Sequence, residues 1–271
     1  MIYIKLAIKQ SDPALNEIIV AKLNLMGFDG FEENAGYLIA YIKQDVFDEA
    51  EVLALMQEYQ LLFTIELIQE QNWNANWEAN FSPVLIDDFL GIRAHFHQTI
   101  THVQHEIIIT PKMSFGTGHH ATTFLVMKLM QQINFVQKRV FDFGTGTGVL
   151  SILAEKLGAS SVLAVDCDDW SIANAAENFR INNVQHCNIQ QANNADTSQQ
   201  FDIILANVNR NIILDNLQNF IKCLSPKGLI LLSGLLVADA IEIENIIKTK
   251  SIWQQKTMLE KDGWIAILYQ A

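Results

Sequence analysis

From residue 140 onward, short apolar runs alternate with stretches of helical spacing. Residues 140–143, 161–166, 201–207 and 229–233 read as strands. Between and after them, 149–157, 171–182, 212–224 and 238–248 read as helices, the first stopped by Gly158. Strand and helix in strict alternation predict a mostly parallel sheet, and Pro226-Lys227-Gly228 marks a turn into its fifth strand. Two last strands, 252–259 and 264–269, form a closing hairpin around Asp262-Gly263.

The first 70 residues carry a different pattern. Residues 3–8 are β-prone, and Asp12-Pro13 supplies an N-cap followed by proline at the first helical position. Leu15, Ile18, Ile19, Leu23 and Met26 keep helical spacing up to Gly27. Residues 28–33 and 37–42 form a hairpin through Asn34-Ala35-Gly36. Val46, Ala50, Leu53 and Leu55 mark a second helix, and 63–68 a last strand. The order β-α-β-β-α-β predicts a ferredoxin-like domain over 1–70, a module that binds or positions a partner. A linker helix follows over 71–82, where Trp73, Trp77 and Phe81 recur every four residues on one face. The remainder, 83–271, forms the second domain and opens with short strands at 83–86, 91–96 and 106–109. His95 and His97 alternate on one strand face with His102 and His105 close by. No cysteine or paired carboxylate stands at ligand spacing, so no metal site is expected.

Composition narrows the function. The 271 residues suit one large or two modest domains, and a net charge of −12 resists a nucleic-acid backbone while favouring a basic partner. Cys167, Cys187 and Cys223 include no CxxC pair, which argues for a reducing compartment. No opening signal sequence or membrane-length apolar run is evident, so the expected location is the cytoplasm.

The chemistry concentrates in Val140-Phe141-Asp142-Phe143-Gly144-Thr145-Gly146-Thr147-Gly148, followed by Asp166. This is the layout of a strand, a glycine turn, a helix, and a second strand whose terminal carboxylate faces a ribose. The spacing is G-x-G-x-G, and Val149 stands where a dinucleotide site has its third glycine. Asp142 would repel a pyrophosphate but suits the cationic amino-acid end of S-adenosylmethionine (SAM). Gly144, Asp166 and Asn207 all fall at strand ends and are expected to converge. The run Asn207-Val208-Asn209-Arg210 lacks the Asn-Pro-Pro-Tyr of adenine-N6 and glutamine methyltransferases and offers no aromatic to stack a flipped base.

Just upstream lies Thr110-Pro111-Lys112-Met113-Ser114-Phe115-Gly116-Thr117-Gly118-His119-His120-Ala121-Thr122-Thr123. With the glycine turn, Leu205-Ala206-Asn207-Val208-Asn209 and Leu232-Ser233-Gly234-Leu235-Leu236, it resembles the PrmA family along the whole chain. That family methylates the large-subunit ribosomal protein L11. The resemblance implies a Rossmann-like SAM-dependent methyltransferase domain behind a small α+β domain, and N-methylation of lysine or other amino groups of L11. It implies that Thr123 touches the methionine end of SAM, that Gly144 and Gly146 belong to the cofactor turn with Asp142, and that Asp166 holds the ribose. It places Phe115, Gly116, Thr117 and His119 in a loop covering SAM, and Asn207 between cofactor and target amine. The family's usual Asp-Pro-Gly is Thr110-Pro111-Lys112 here, and Ala121 replaces a proline.

Methyl transfer is an in-line displacement in which the protein mainly supplies positioning. No general base stands out; desolvation beside a sulfonium lowers an amine pKa, so none is required. Asn207, through its side-chain carbonyl, is the residue expected to orient the amine. The N-terminal domain would present L11 to a monomeric enzyme. A methyltransferase of another acceptor and a non-catalytic SAM-binding module remain as alternatives.

Overall fold

The computed structural model describes residues 2–34, 36–69, 81–112 and 114–271. Two compact units divide at Met1–Asn80 and Phe81–Ala271. Of the linker helix expected over 71–82, residues 71–80, with Trp73 and Trp77, lie outside the described residues, and Phe81 and Ser82 are not helical.

In the first unit the order is β1 (Ile2–Lys9), α1 (Pro13–Leu25), β2 (Gly30–Asn34), β3 (Tyr37–Lys43), α2 (Glu49–Glu58) and β4 (Leu62–Gln69). The sheet order is β2-β3-β1-β4, and all neighbours are antiparallel. Strand alternation sends Ile4, Leu6 and Ile8 to one face, where they bury against Ile19 and Leu23 of α1 and Val52 and Met56 of α2. The Asp12 carboxylate caps α1 by accepting from the Ala14 N–H. The second helix starts later than its apolar residues predict. Asp48 accepts from the Ala50 and Glu51 N–H groups and fixes the start at Glu49, behind a short 3-10 turn at Gln44–Val46.

The second unit opens with β5 (Val84–Ile86), β6 (Leu90–Ala94) and β7 (His105–Ile109), a small sheet in that order. His95 and His97 do not share a strand face as expected. β6 ends at Ala94, and the chain turns: the His97 N–H donates to the Ala94 carbonyl at 3.1 Å, and the Ala94 N–H donates to His97 Nδ1 at 3.2 Å. The main body follows as α3 (Ala121–Met130), β8 (Arg139–Phe143), α4 (Val149–Lys156), β9 (Ser161–Asp166), α5 (Asp169–Ile181), β10 (Cys187–Gln191), β11 (Phe201–Asn207), α6 (Arg210–Cys223), β12 (Leu224–Leu236), α7 (Ala240–Lys250), β13 (Gln254–Lys261) and β14 (Trp264–Gln270). Its seven strands run β10-β9-β8-β11-β12-β14-β13. Pairing is parallel as far as β12, and β14 inserts antiparallel between β12 and β13. Each sheet face carries its own core, as expected when helices cover both sides. Strand order reverses between β8 and β11, so a crevice opens beyond their carboxyl ends. No helix among the described residues is long and apolar enough to cross a membrane.

Candidate active site

A cavity of about 750 Å³ lies at this switch point. Its wall contains Gly144 and Gly146 from the turn after β8, Asp166 from the end of β9, and Asn207 from the end of β11. These strand ends converge because β8 pairs with β9 on one side and β11 on the other.

The glycine turn is anchored from below and above. Below it, Asp142 is fully buried and stands behind the cavity wall. Asp142 Oδ2 accepts from Thr145 Oγ1 and Ser151 Oγ, both at 2.6 Å, and so ties the turn to the first helical turns of α4. The Gly144 and Thr145 N–H groups both donate to the Val165 carbonyl at 2.9 Å. Above it, the Thr147 N–H donates to the Phe115 carbonyl at 2.9 Å and Thr147 Oγ1 to the Gly116 carbonyl at 2.6 Å. A Cβ on Gly146 would stand 2.2 Å from the Phe115 carbonyl oxygen, so only glycine lets the loop sit down on the turn.

Burial raises the Asp142 carboxyl to about 6, with the Ser151 and Thr145 hydroxyls opposing the shift. The folded value lies above the ordinary 3.8, so the folded state gains protons as pH falls. This contribution to stability is complete below pH 3.8 and is lost as pH rises through 6. Between pH 7 and pH 5 the group should stabilise the wild type by on the order of 1 kcal/mol, and Asp142→Asn should abolish that increment. Urea unfolding of both proteins at the two pH values measures the difference; identical pH dependence would refute the assignment.

Helix α5 holds the turn from the side. Asn174, Asn178 and Asn182, spaced by four, share one face. Asn182 brackets the backbone of Ile108, accepting from its N–H at 2.9 Å and donating to its carbonyl at 2.6 Å. Asn178 accepts from the Thr110 N–H at 2.8 Å and donates to the Thr147 carbonyl at 2.8 Å, and Asn174 donates to the Thr110 carbonyl. Glu177 on the same helix accepts from Thr110 Oγ1 at 3.1 Å and pairs with Lys112. The unusual Thr110-Pro111-Lys112 is thus matched by a carboxylate supplied from the helix.

At the rim, the Asp166 carboxylate accepts from the Gly146 N–H at 2.9 Å and the Asp168 N–H at 3.1 Å. Deeper in, Asn207 is 9% exposed; its Nδ2 donates to Thr123 Oγ1 at 3.2 Å, and its Oδ1 has no partner. Thr123 itself is 0% exposed and accepts from Asn207, while its neighbour Thr122 lines the wall. Of the covering loop, Phe115 lines the cavity, while Gly116 and Thr117 bond away from it, to Thr147 and His119. The His119 ring bonds to the Ser82 carbonyl at 2.8 Å and packs on Phe81. Wall residues that the sequence did not single out include His120, Cys167, Ile212 and Trp264. Among the described residues no three His, Cys, Asp or Glu side chains converge as metal ligands.

A doubly wound sheet, a glycine turn at its switch point and an asparagine with a free acceptor across the cavity define an α/β methyltransferase. The family described as "Ribosomal protein L11 methyltransferase (PrmA)" matches residues 10–271, and the chain belongs to that family. It is 36% identical over 261 residues to the ribosomal protein L11 methyltransferase of Porphyromonas gingivalis, covering 93% of this chain and 90% of that one. Its counterpart in Chlorobaculum tepidum is 36% identical over 272 residues, covering 96% and 93%. Among solved structures, a ribosomal protein L11 methylase from Lactobacillus delbrueckii subsp. bulgaricus superposes with a TM-score of 0.65 at 30% identity, covering 70% of this chain and 98% of that one.

Proposed function

We propose that the chain transfers the methyl group of SAM to lysine or other amino groups of ribosomal protein L11. The observation that carries the reading is the unpartnered Asn207 Oδ1 in the cavity wall. A buried carbonyl without a donor costs about 1–3 kcal/mol, a penalty that an incoming amine N–H removes. The residues present fit SAM as well: Gly144 and Gly146 offer bare backbone, and Asp166 offers a carboxylate at the rim. When bound there, SAM supplies a methyl group on a sulfonium.

The chain's own residues then do three things. Gly144, Gly146 and Asp166 hold the nucleoside end, with Phe115, Gly116 and Thr117 as cover. Asn207 accepts a hydrogen bond from the acceptor amine, which aims the nitrogen lone pair along the line of attack. Thr123 and Asp142 act at one remove, Thr123 by fixing the Asn207 amide and Asp142 by fixing the turn.

The N-terminal region, 1–70, serves as the substrate-recognition domain, joined by a linker over 71–82 to the methyltransferase domain at 83–271. The strand order β2-β3-β1-β4 supports a ferredoxin-like reading of that domain. Its partner is a basic ribosomal protein, drawn to a chain of charge −12, and not nucleic acid directly. The enzyme works as a monomer, and its three free cysteines support a cytoplasmic setting.

Radiolabelled SAM with purified L11, and bulk RNA as rival acceptor, tests the proposal. Label should enter L11 alone. Asp166→Ala should weaken SAM binding about tenfold or more, given the worth of hydrogen bonds to charged groups. Label in RNA, or none in L11 despite measurable SAM binding, would overturn the substrate assignment.

A further inference from the structure

The residue after Asn207 is gripped by two glycines, one of them from Leu232-Ser233-Gly234-Leu235-Leu236. In the β12–β14 pairing Ser233 stands opposite Ala266 and Leu235 opposite Ile265, so Gly234 is an extra residue with no partner across the ladder. Its φ is 84°, and a bulge of this kind favours glycine and re-aims a strand beside a site. The buried Ser233 hydroxyl donates to the Ile265 carbonyl at 2.9 Å and ties the bulge to β14.

Gly234 packs against the backbone of Val208. A Cβ on Gly234 would stand 2.1 Å from the Val208 carbonyl oxygen and 2.6 Å from its carbon. The Val208 side chain meets the other glycine: a Cβ on Gly144 would stand 2.3 Å from Val208 Cγ1, with Val208 Cβ next at 3.8 Å. Val208 is thus wedged between the cofactor turn and the bulge, and all three residues line the cavity. The segment is also fastened at each end. Asn207 pairs with Ser233 in the β11–β12 ladder, and Arg210 makes ion pairs with Asp239 and Glu242 beyond the bulge.

We propose that Val208 is a positioning residue for methyl transfer: locked between Gly144 and Gly234, it sets where Asn207 meets the acceptor and couples that placement to the cofactor turn. The proposal rests on the reading of Asn207 as the group that meets the amine. Val208 follows Asn207 directly, so a shift of its backbone passes to the Asn207 Cα. A hydrogen bond to Thr123 Oγ1 restrains the Asn207 amide, and the backbone supplies the rest of its placement. A misplacement of about 1 Å at a reacting centre is enough to slow transfer about 100-fold.

The test measures kcat and KM for L11, with calorimetric SAM binding, in Val208→Ala, Val208→Thr, Gly234→Ala, Gly144→Ala and the two doubles that add Val208→Ala to a glycine variant. Val208→Ala should lower kcat about tenfold or more, with KM and SAM affinity each within about threefold of wild type. Val208→Thr, which keeps the branched Cβ, should recover most of that loss. Gly234→Ala should lower kcat by about 30-fold or more, because the Val208 carbonyl must move. Gly144→Ala should weaken SAM binding, and adding Val208→Ala should restore about tenfold of it, since the obstructing atom is Cγ1 and the next stands at an ordinary 3.8 Å. The same addition should restore nothing to Gly234→Ala, where the obstructing atoms are backbone. A kcat within about threefold of wild type in folded Val208→Ala, or a Gly144→Ala that Val208→Ala does not restore, would overturn the proposal. So would equal recovery of both glycine variants. Should Gly234→Ala fail to fold, the Val208 variants and the Gly144 pair decide alone. An Asn207→Ala variant as active as wild type would instead sink the reading of Asn207, while SAM binding in the Gly144 pair would still report on Val208.

Discussion

Replacing Asn207 by alanine is expected to slow methyl transfer about 100-fold or more, with the chain folded and SAM affinity within about tenfold of wild type. Truncation removes the buried oxygen that the amine must meet, and loss of an orienting contact at a reacting centre costs rates of this order. It also strips Thr123 Oγ1 of its partner, a cost of about 1 kcal/mol in stability. Thr123→Val separates the two effects. It removes the hydroxyl but leaves the carbonyl in place, so transfer should fall far less than in Asn207→Ala. Asn207→Asp is the sharper probe because its shape is the same. A carboxylate there stabilises the protonated amine, whose lone pair is occupied, so transfer should again fall and recover partly as pH is raised. Single-turnover rates at saturating SAM read all three variants. An Asn207→Ala rate within threefold of wild type would remove the residue from the transfer step.

The strand ends that build the cavity were legible because their physics is local. Strand β8 ends in a glycine turn, β9 ends in an isolated aspartate, and both patterns are forced by the sharp turn into a helix. Helix α3 left no such trace. Eight of its ten residues are buried, so it has no polar face and no 3.6-residue stripe to detect. Strand β10, Cys-Asn-Ile-Gln-Gln, is an edge strand with polar residues where a central strand would be apolar. Asp142 stands on its strand as read, but the direction of its side chain was not legible in the sequence. Its neighbour Phe143 lines the cavity, whereas Asp142 points to the opposite face of the sheet and into the helix below. Trp264 carries no local signal at all, because its place on the wall depends on β14 inserting between β12 and β13 rather than continuing at the edge. The Thr122–Thr123 pair shows the limit of a motif: adjacent residues on a helix diverge by about 100°, so one can line the cavity while the other reaches Asn207.

Gly146→Ala is expected to weaken SAM binding about 100-fold while the sheet stays folded. Gly146 has φ 54°, where an alanine costs roughly 1–2 kcal/mol. The added Cβ would also meet the Phe115 carbonyl oxygen at 2.2 Å and its carbon at 3.2 Å. Both are backbone atoms, so no rotamer change relieves the clash; the covering loop must lift. Lifting breaks the two bonds from Thr147 to Phe115 and Gly116, each worth about 1 kcal/mol. It also shifts the Gly146 N–H that orients Asp166. The strain is shed most cheaply by opening this loop, because the core strands beneath are held by separate contacts. Gly263→Ala supplies the control: its φ is 78°, yet a Cβ there meets nothing within 4 Å. That variant should lose about 1 kcal/mol of stability and bind SAM normally. Calorimetric SAM titration, with limited proteolysis across 112–118 as a second readout, distinguishes the cases. Equal SAM affinity in the two alanine variants would mean that the loop does not depend on the turn for its closed position.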